Sequence, residues 1–271
     1  MSENVIVAEN QQGRLQSKIE EPSETKRQTL RINKELAILL GLLFTDGCVS
    51  PKGNSWRIYF SNKSNVLIDL FQDCIIKEFN LEKNRVLIGK TNNGFGKAVV
   101  NSKEIGNYLI SKFGTFRTLE FENGKETAAK LPINELLDNG CAQIFLRVAF
   151  SCDGGLSFYP ASRKGKTNDV QWLIRTVFLS CKHSRLRREY AEILKVFGIM
   201  ARNVPGDGKL KIETKSDIQK FHDKIGFLEG VAVTDHSKFW RDYPKQQVLE
   251  LMVSSYEEPR KIYNLPRFIR E

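Results

Sequence analysis

The sequence predicts an α+β protein in which one αββαββα unit is used twice. Two observations carry this reading. Two apolar helical stretches end alike in Asp-Gly: LLGLLFTDG (Leu39 to Gly47) and LRVAFSCDG (Leu146 to Gly154). Behind each runs the same order of strands and amphipathic helices, closed by matching segments, SKEIGNYLISKFG (102–114) and KSDIQKFHDKIGF (215–227). An order that recurs within one chain points to internal duplication.

The elements follow in turn. Residues 1–28 are polar and aperiodic and read as a tail. Asn33 is placed to cap a helix from Lys34, since its side-chain oxygen can accept an orphan backbone N–H. That helix, KELAILLGLLFT, is apolar on nearly every face and must be buried on nearly every face. Gly47 is expected to close it in the left-handed position past the helix end. In WRIYFS, Trp56, Ile58 and Phe60 alternate with Arg57, Tyr59 and Ser61, the pattern of a half-buried strand. A helix over 65–80 follows, then strands RVLIGK (85–90) and KAVVNS (97–102) across the turn-rich TNNGFG, then a helix over 103–114.

The second half repeats this with a helix over 141–152, a strand over 170–180 and a helix over 184–198. Short strands around IMARNV and KLKIET flank PGDG, and a helix covers 216–226. The expected boundaries are a tail at 1–28, a first unit at 29–114, a linker at 115–131, a second unit at 132–226 and a C-terminal extension at 227–271 packed on the second unit. The extension holds a helix, QQVLELMVSSY, and an aromatic stretch whose Phe239, Trp240 and Tyr243 read as packing anchors.

The formal net charge is +10 and the pI about 9.3. The first thirty residues hold five acids and four bases, which leaves +11 on the remainder. A body that basic suggests a polyanion partner, nucleic acid ahead of an anionic membrane. Five cysteines without a CxxC spacing fit reduced thiols and argue against a zinc module. The N-terminus has no signal-peptide pattern, and no apolar run is long enough to span a bilayer. The expected location is intracellular and cytoplasmic, with an organelle left open.

The chemistry is read from the two helix ends. A helix C-terminus carries about half a negative charge, and here each adds a carboxylate. If the helices pack side by side at a pseudo-twofold axis, with Gly41 and Ala149 allowing close approach, Asp46 and Asp153 arrive together. Two carboxylates in one confined site repel, and a hard divalent cation relieves them. Such a cation can activate a water and stabilise the leaving oxygen in phosphodiester cleavage.

On these residues, the two stretches resemble the paired signature motifs of a single-chain LAGLIDADG homing endonuclease, over roughly Asn33 to Tyr256. The resemblance implies paired motif helices at the interface of the two units and two antiparallel sheets forming a DNA-binding saddle. It implies hydrolysis of both strands across the minor groove with Mg²⁺, for which Mn²⁺ substitutes. It implies metal ligation by the Asp46 and Asp153 carboxylates and by the backbone carbonyls of Thr45 and Cys152. It also implies catalytic roles at the strand ends for Asn62, Lys63 and Lys182, the lysines as electrostatic support for the scissile phosphate. The chain departs from the motif at Phe44 and Ser151 in the sixth position and at Val148, where the first copy has Gly41. Cys181 stands where the first half has Asn62, so the water-positioning amide is expected on one side only. No general base is evident, and His183, His222 and His236 read as surface or interface residues.

DNA contacts are expected from exposed strand faces. Arg57, Tyr59 and Ser61 share one face, and Lys90, Lys97, Arg202, Lys209 and Lys211 lie on other strands. Gln171 and Arg175 lie on a strand whose alternation is poor and face either way. For each of these residues a solvated strand face is the alternative. The basic loops PKGNS (51–55) and ASRKGKTND (161–169) suit phosphates, whereas arginine can read guanine edges. The expected partner is double-stranded DNA with a long, roughly pseudo-palindromic target, bound by a monomer. Intron RNA is the alternative partner, in a maturase on the same scaffold. A DNA-binding regulator without catalysis is a third reading, one that would tolerate loss of Asp46 or Asp153, and both are present.

Overall fold

The computed structural model describes residues 31–119, 121–162, 171–204, 206–234 and 237–258. The expected tail at 1–28, the loop residues 163–169 and His236 lie outside the described residues. Helix α1 (Lys34–Leu43) starts where Asn33 Oδ1 accepts the Leu36 N–H at 2.8 Å. Every residue from Leu36 to Leu43 is buried, as an all-round apolar helix requires. Strands β1 (Gly47–Lys52) and β2 (Ser55–Asn62), helix α2 (Asn65–Phe79), strands β3 (Leu87–Lys90) and β4 (Gly96–Asn101) and helix α3 (Lys103–Phe113) follow. A short hairpin, β5 (Phe121–Glu122) and β6 (Lys125–Glu126), turns through Asn123 and Gly124 at φ 51° and 76°, the left-handed pair that a two-residue turn demands. Helix α4 (Ile133–Asp138) leads to α5 (Ala142–Asp153), strands β7 (Gly154–Ser162) and β8 (Gln171–Ser180), and helix α6 (Ser184–Val196). Strands β9 (Arg202–Val204) and β10 (Lys209–Ile212), helix α7 (Lys215–Lys224) and helix α8 (Lys245–Ser254) complete the order.

Two four-stranded antiparallel sheets form with the same topology, β1-β2-β4-β3 and β7-β8-β10-β9. The αββαββα order calls for a strand at β1 and at β7, but no residue pattern marks either one. Their sequences, GCVSPK and GGLSFYPAS, are rich in glycine, serine and proline, and pairing with β2 and β8 makes them strands. Lys52, read as part of a loop, therefore ends β1, where it pairs with Ser55.

Gly47 does not take the left-handed helix-closing conformation expected of it. Gly154 is extended, with φ −86° and ψ 159°. What each glycine supplies is room. A Cβ on Gly154 would sit 2.2 Å from the Phe150 carbonyl oxygen, and one on Gly47 would sit 2.5 Å from Leu43 Cα. The chain thereby folds back from each helix end into a strand at once, with the acid at the bend.

Helices α1 and α5 pack together in the core, where Leu36, Leu39, Leu40, Phe145, Leu146 and Ala149 are at most 1% exposed. Gly41 faces Val148: a Cβ at Gly41 would lie 2.9 Å from Val148 Cγ1 and 3.1 Å from the Phe145 carbonyl oxygen. The valine in the second copy thus fills the space left by the glycine in the first. Close approach needs one small residue at this crossing. Helix α8 packs on β7 and α7, burying Val248, Leu249 and Met252. Trp240 stacks on Phe158 with ring centroids 5.3 Å apart and donates its indole N–H to the Phe158 carbonyl. No helix among the described residues is long and apolar enough to cross a membrane.

Candidate active site and nucleic-acid interface

Asp46 and Asp153 line one cleft of about 660 Å³, together with Asn62, Lys63 and Lys245. Asp46 sits in the turn after α1, and its carbonyl accepts the Ser61 N–H, which ties the turn to β2. Asp153 is the last residue of α5. Burial pushes both carboxyls upward, and the Asp46 charge adds to the rise at Asp153, which reaches about 8. Opposing this at Asp46 is a 2.7 Å hydrogen bond donated by the Asn62 amide. Asn62 Oδ1 in turn accepts the Ser64 N–H at 2.8 Å, so the amide is held from both ends.

The second strand end is built differently. Cys181 offers no amide. Its backbone is held by Arg187, whose guanidinium binds the carbonyls of Cys181 and Lys182 at 2.5 and 2.7 Å and the Asn203 side chain at 2.8 Å. Lys182, Asp153, Thr45 and Cys181 line a second cleft, of about 340 Å³, which also includes Tyr190. The Lys63 ammonium lies 5.1 Å from the Phe95 ring centroid. Thr45 donates its hydroxyl to the Gly41 and Leu42 carbonyls, capping α1. The Cys152 thiol is raised well above its ordinary range by burial and then by the Asp46 charge, so it is held as a thiol. His183, read as a surface or interface residue, is fully buried, with Nε2 3.2 Å from the Thr127 carbonyl oxygen.

Sheet register sorts the expected contact residues by face. Ile58 and Phe60 are buried on β2, and Arg57, Tyr59 and Ser61 occupy the opposite face. Ser61 pairs with Lys97 across β4, which puts Lys97 on that outer face. Lys90 pairs with Gly96 and shares the inward parity of Ile88 and Ala98, so it departs from the Arg57 face. In the second sheet Val177 and Leu179 are buried, and the outer face carries Lys209, Lys211 and Arg202 through the pairs Lys209↔Ser180, Lys211↔Phe178 and Lys211↔Arg202. Arg175 has the inward parity. Its guanidinium donates to the Ser255 hydroxyl and carbonyl at 2.8 and 2.9 Å and lies 4.4 Å from the Tyr256 ring centroid. It pins the end of α8, because buried parity on β8 coincides with the side where α8 packs. The side chain of Gln171 lies outside the described residues.

No protein-family model matches this chain, and no curated protein matches it. Solved structures do. A mutant of I-SmaMI aligns with 88% of this chain and 94% of its own at 9% identity, with a TM-score of 0.53. The LAGLIDADG meganuclease I-AabMI, solved bound to uncleaved DNA, aligns with 87% of this chain and 94% of its own at 11% identity, with a TM-score of 0.50. The chain has the two-sheet LAGLIDADG fold.

Within the LAGLIDADG fold, α1 and α5 are the motif helices and their ends meet at the acid-lined cleft. Among the described residues no group of three or more His, Cys, Asp or Glu side chains is placed to hold a metal ion, so the side-chain ligands of a cation here would be two carboxylates. The donor set fits a hard divalent ion: both carboxyls are held up by burial, and oxygen is the only ligand chemistry they offer. Motif reading did not find Lys245. It is 4% exposed, and its ammonium donates to the Ser151 and Gly154 carbonyls at 2.8 and 2.7 Å. Burial pulls its pKa down to about 8 against the opposing pull of the Asp153 and Asp46 carboxyls. Lys245 lies ninety-two positions beyond Asp153 in a segment without a motif. Only an unexplained lysine at the start of an amphipathic helix marks it.

Proposed function

We propose that this protein is a site-specific, divalent-metal-dependent DNA endonuclease that acts as a monomer on duplex DNA with a long, roughly pseudo-palindromic target. The observation that carries the reading is the convergence of Asp46 and Asp153 in one cleft, each carboxyl raised by burial. Such a pair is strained in isolation and relieved by a cation. Asp46 and Asp153, with the adjoining carbonyls of Thr45 and Cys152, would hold Mg²⁺ or Mn²⁺. Bound there, the metal supplies a Lewis acid and an activated water for phosphodiester hydrolysis. Asn62 orients Asp46 through its amide. Lys63 and Lys182, one in each of the two clefts beside the acids, offer positive charge to the scissile phosphates. Contacts to DNA come from Arg57, Tyr59, Ser61 and Lys97 on the first sheet and Arg202, Lys209 and Lys211 on the second. Arg175 anchors α8 instead, and Lys90 lies off the reading face. Cutting on the Cys181 side proceeds without the amide that Asn62 provides on the other.

The test is cleavage of a randomised duplex library in Mg²⁺, beside Asp46→Asn and Asp153→Asn. One long consensus should be cut on both strands by the wild type. Each variant should lose more than the roughly 100-fold that removal of an outer-shell partner costs. Duplex binding without cleavage in either Mg²⁺ or Mn²⁺ would overturn the proposal.

A further inference from the structure

The loop before α8 wraps β7, the end strand of the second sheet. Trp240 stacks on Phe158 on the buried side of the strand, and Phe239 stacks on Tyr159 on the outer side, with ring centroids 6.1 Å apart. A 2.8 Å bond from the Val233 N–H to the Tyr243 carbonyl closes the loop. Between loop and sheet lies a groove of about 540 Å³ that begins at Asp153 and follows the outer face of β7 to Tyr159. Phe178 lines it from the neighbouring strand. Its ring lies across Gly155, where a Cβ would come within 2.6 Å of Phe178 Cζ, so the glycine is what makes room for the ring. Two of these rings carry cations. The Lys209 ammonium lies 4.6 Å from the Phe178 centroid, and the Lys238 ammonium lies 5.7 Å from the Phe239 centroid.

Surface aromatics scattered singly need no explanation. Here three share one groove with two lysines, and the groove starts at an acid of the candidate active site. Rings set beside cations along a groove suit a nucleic-acid strand, because the rings stack on bases and the cations neutralise phosphates. The lining also selects the form of nucleic acid. In a duplex the bases cover one another's faces and offer only their edges in the grooves. The planar side chains that match those edges best are Arg, Asn and Gln, and none of them is among the described residues that line this groove. What the groove offers instead is ring faces, and a ring face can stack only on an unpaired base.

We propose that this groove binds a short single-stranded DNA segment, with Tyr159, Phe178 and Phe239 stacking on unpaired bases and Lys209 and Lys238 meeting the phosphates between them. The inference goes beyond duplex recognition, and the binding itself needs neither metal nor cleavage. Its use in the reaction rests on the nuclease reading: a groove that begins at Asp153 takes unpaired nucleotides at the end of the strand cut beside that acid.

The experiment measures binding of an end-labelled thymidine hexamer to the full chain in EDTA at low salt, by fluorescence anisotropy, beside a hexamer of abasic sites with the same phosphates. The wild type should bind the thymidine hexamer at least about 5-fold more tightly than the abasic one, the lower end of what one base–aromatic stack contributes. Tyr159→Ala and Phe239→Ala should each remove a similar factor for the thymidine hexamer and leave the abasic hexamer unchanged. Equal affinity of the wild type for both hexamers would mean that charge alone acts, and the proposal fails. It fails too if the thymidine hexamer does not bind, or if both variants bind it as the wild type does. The abasic comparison uses the wild type alone, so a variant that does not fold leaves the test decisive. Duplex cleavage in Mg²⁺ is scored separately. Base-dependent hexamer binding without cleavage removes the nuclease reading and keeps this inference, and cleavage without such binding removes this inference alone.

Discussion

Asp153 shows how burial changes the protonation of an ordinary side chain. Its carboxyl is held up to about 8 against an ordinary 3.8, first by burial and then by Asp46. A group that keeps its proton longer in the folded state than in the unfolded chain stabilises the fold at low pH, and that stability is lost as pH rises through the folded pKa. In EDTA the melting temperature should therefore fall between pH 3.8 and about 8 more steeply for the wild type than for Asp153→Asn. Lys245, drawn down from 10.5 to about 8, has the opposite sign, and its effect lies above the Asp153 window. Saturating Mg²⁺ should flatten the wild-type curve, because a cation binds the ionised carboxylates and so replaces the protons. Parallel curves for the wild type and Asp153→Asn would remove Asp153 as the source.

At the scale of elements, the crossing of α1 and α5 decides whether the acids meet. Gly41 against Val148 is an asymmetric fit, one residue small and the other branched. Gly41→Ala would force a Cβ to 2.9 Å from Val148 Cγ1 and 3.1 Å from the Phe145 carbonyl oxygen. Overpacking of this kind costs about 1–3 kcal/mol, visible in urea unfolding. Val148→Ala in the same chain should restore much of the loss, since the clash is with that side chain. An additive double variant would mean the backbone contact at Phe145 dominates. The two units also differ in how they hold their strand ends. The first uses the Asn62 side chain on the Ser64 N–H, and the second uses the Arg187 guanidinium on two carbonyls. Either device fixes backbone in the link to the following helix, but only the first leaves an amide beside an acid.

Taken whole, the molecule presents two sheet faces of unequal chemistry. The first carries Arg57, Tyr59, Ser61 and Lys97, with the Arg57 guanidinium 4.9 Å from the Tyr59 ring centroid. The second carries Lys209 and Lys211 among aromatic neighbours, with Tyr159 39% and Trp172 40% exposed and the Lys209 ammonium 4.6 Å from the Phe178 ring centroid. A net charge of +10 favours a polyanion at either face. If Lys97 meets a phosphate, Lys97→Ala should weaken duplex binding uniformly across sequences and reduce the slope of log K against log salt by about 0.9. An unchanged slope with altered sequence preference would instead make Lys97 a base contact.

The sequence by itself determined the repeated order, the buried motif helices, the Asn33 cap and the two acids, because each is written in local pattern: apolar faces, a capping residue, a recurring Asp-Gly. It also separated the faces of β2, where alternation is clean. Strands β1 and β7 were hidden, because glycine, serine and proline carry little strand signal and pairing with a neighbour creates the strand. The inward turn of Arg175 was hidden for a related reason: alternation along β8 is blurred, and a helix from the far end of the chain decides which side is inside. Lys245 was hidden most completely. Its position depends on a segment returning to the end of a helix ninety-two positions earlier, and local pattern does not encode long-range approach. The sequence named the two carboxylates, and tertiary packing alone set a buried ammonium beside them.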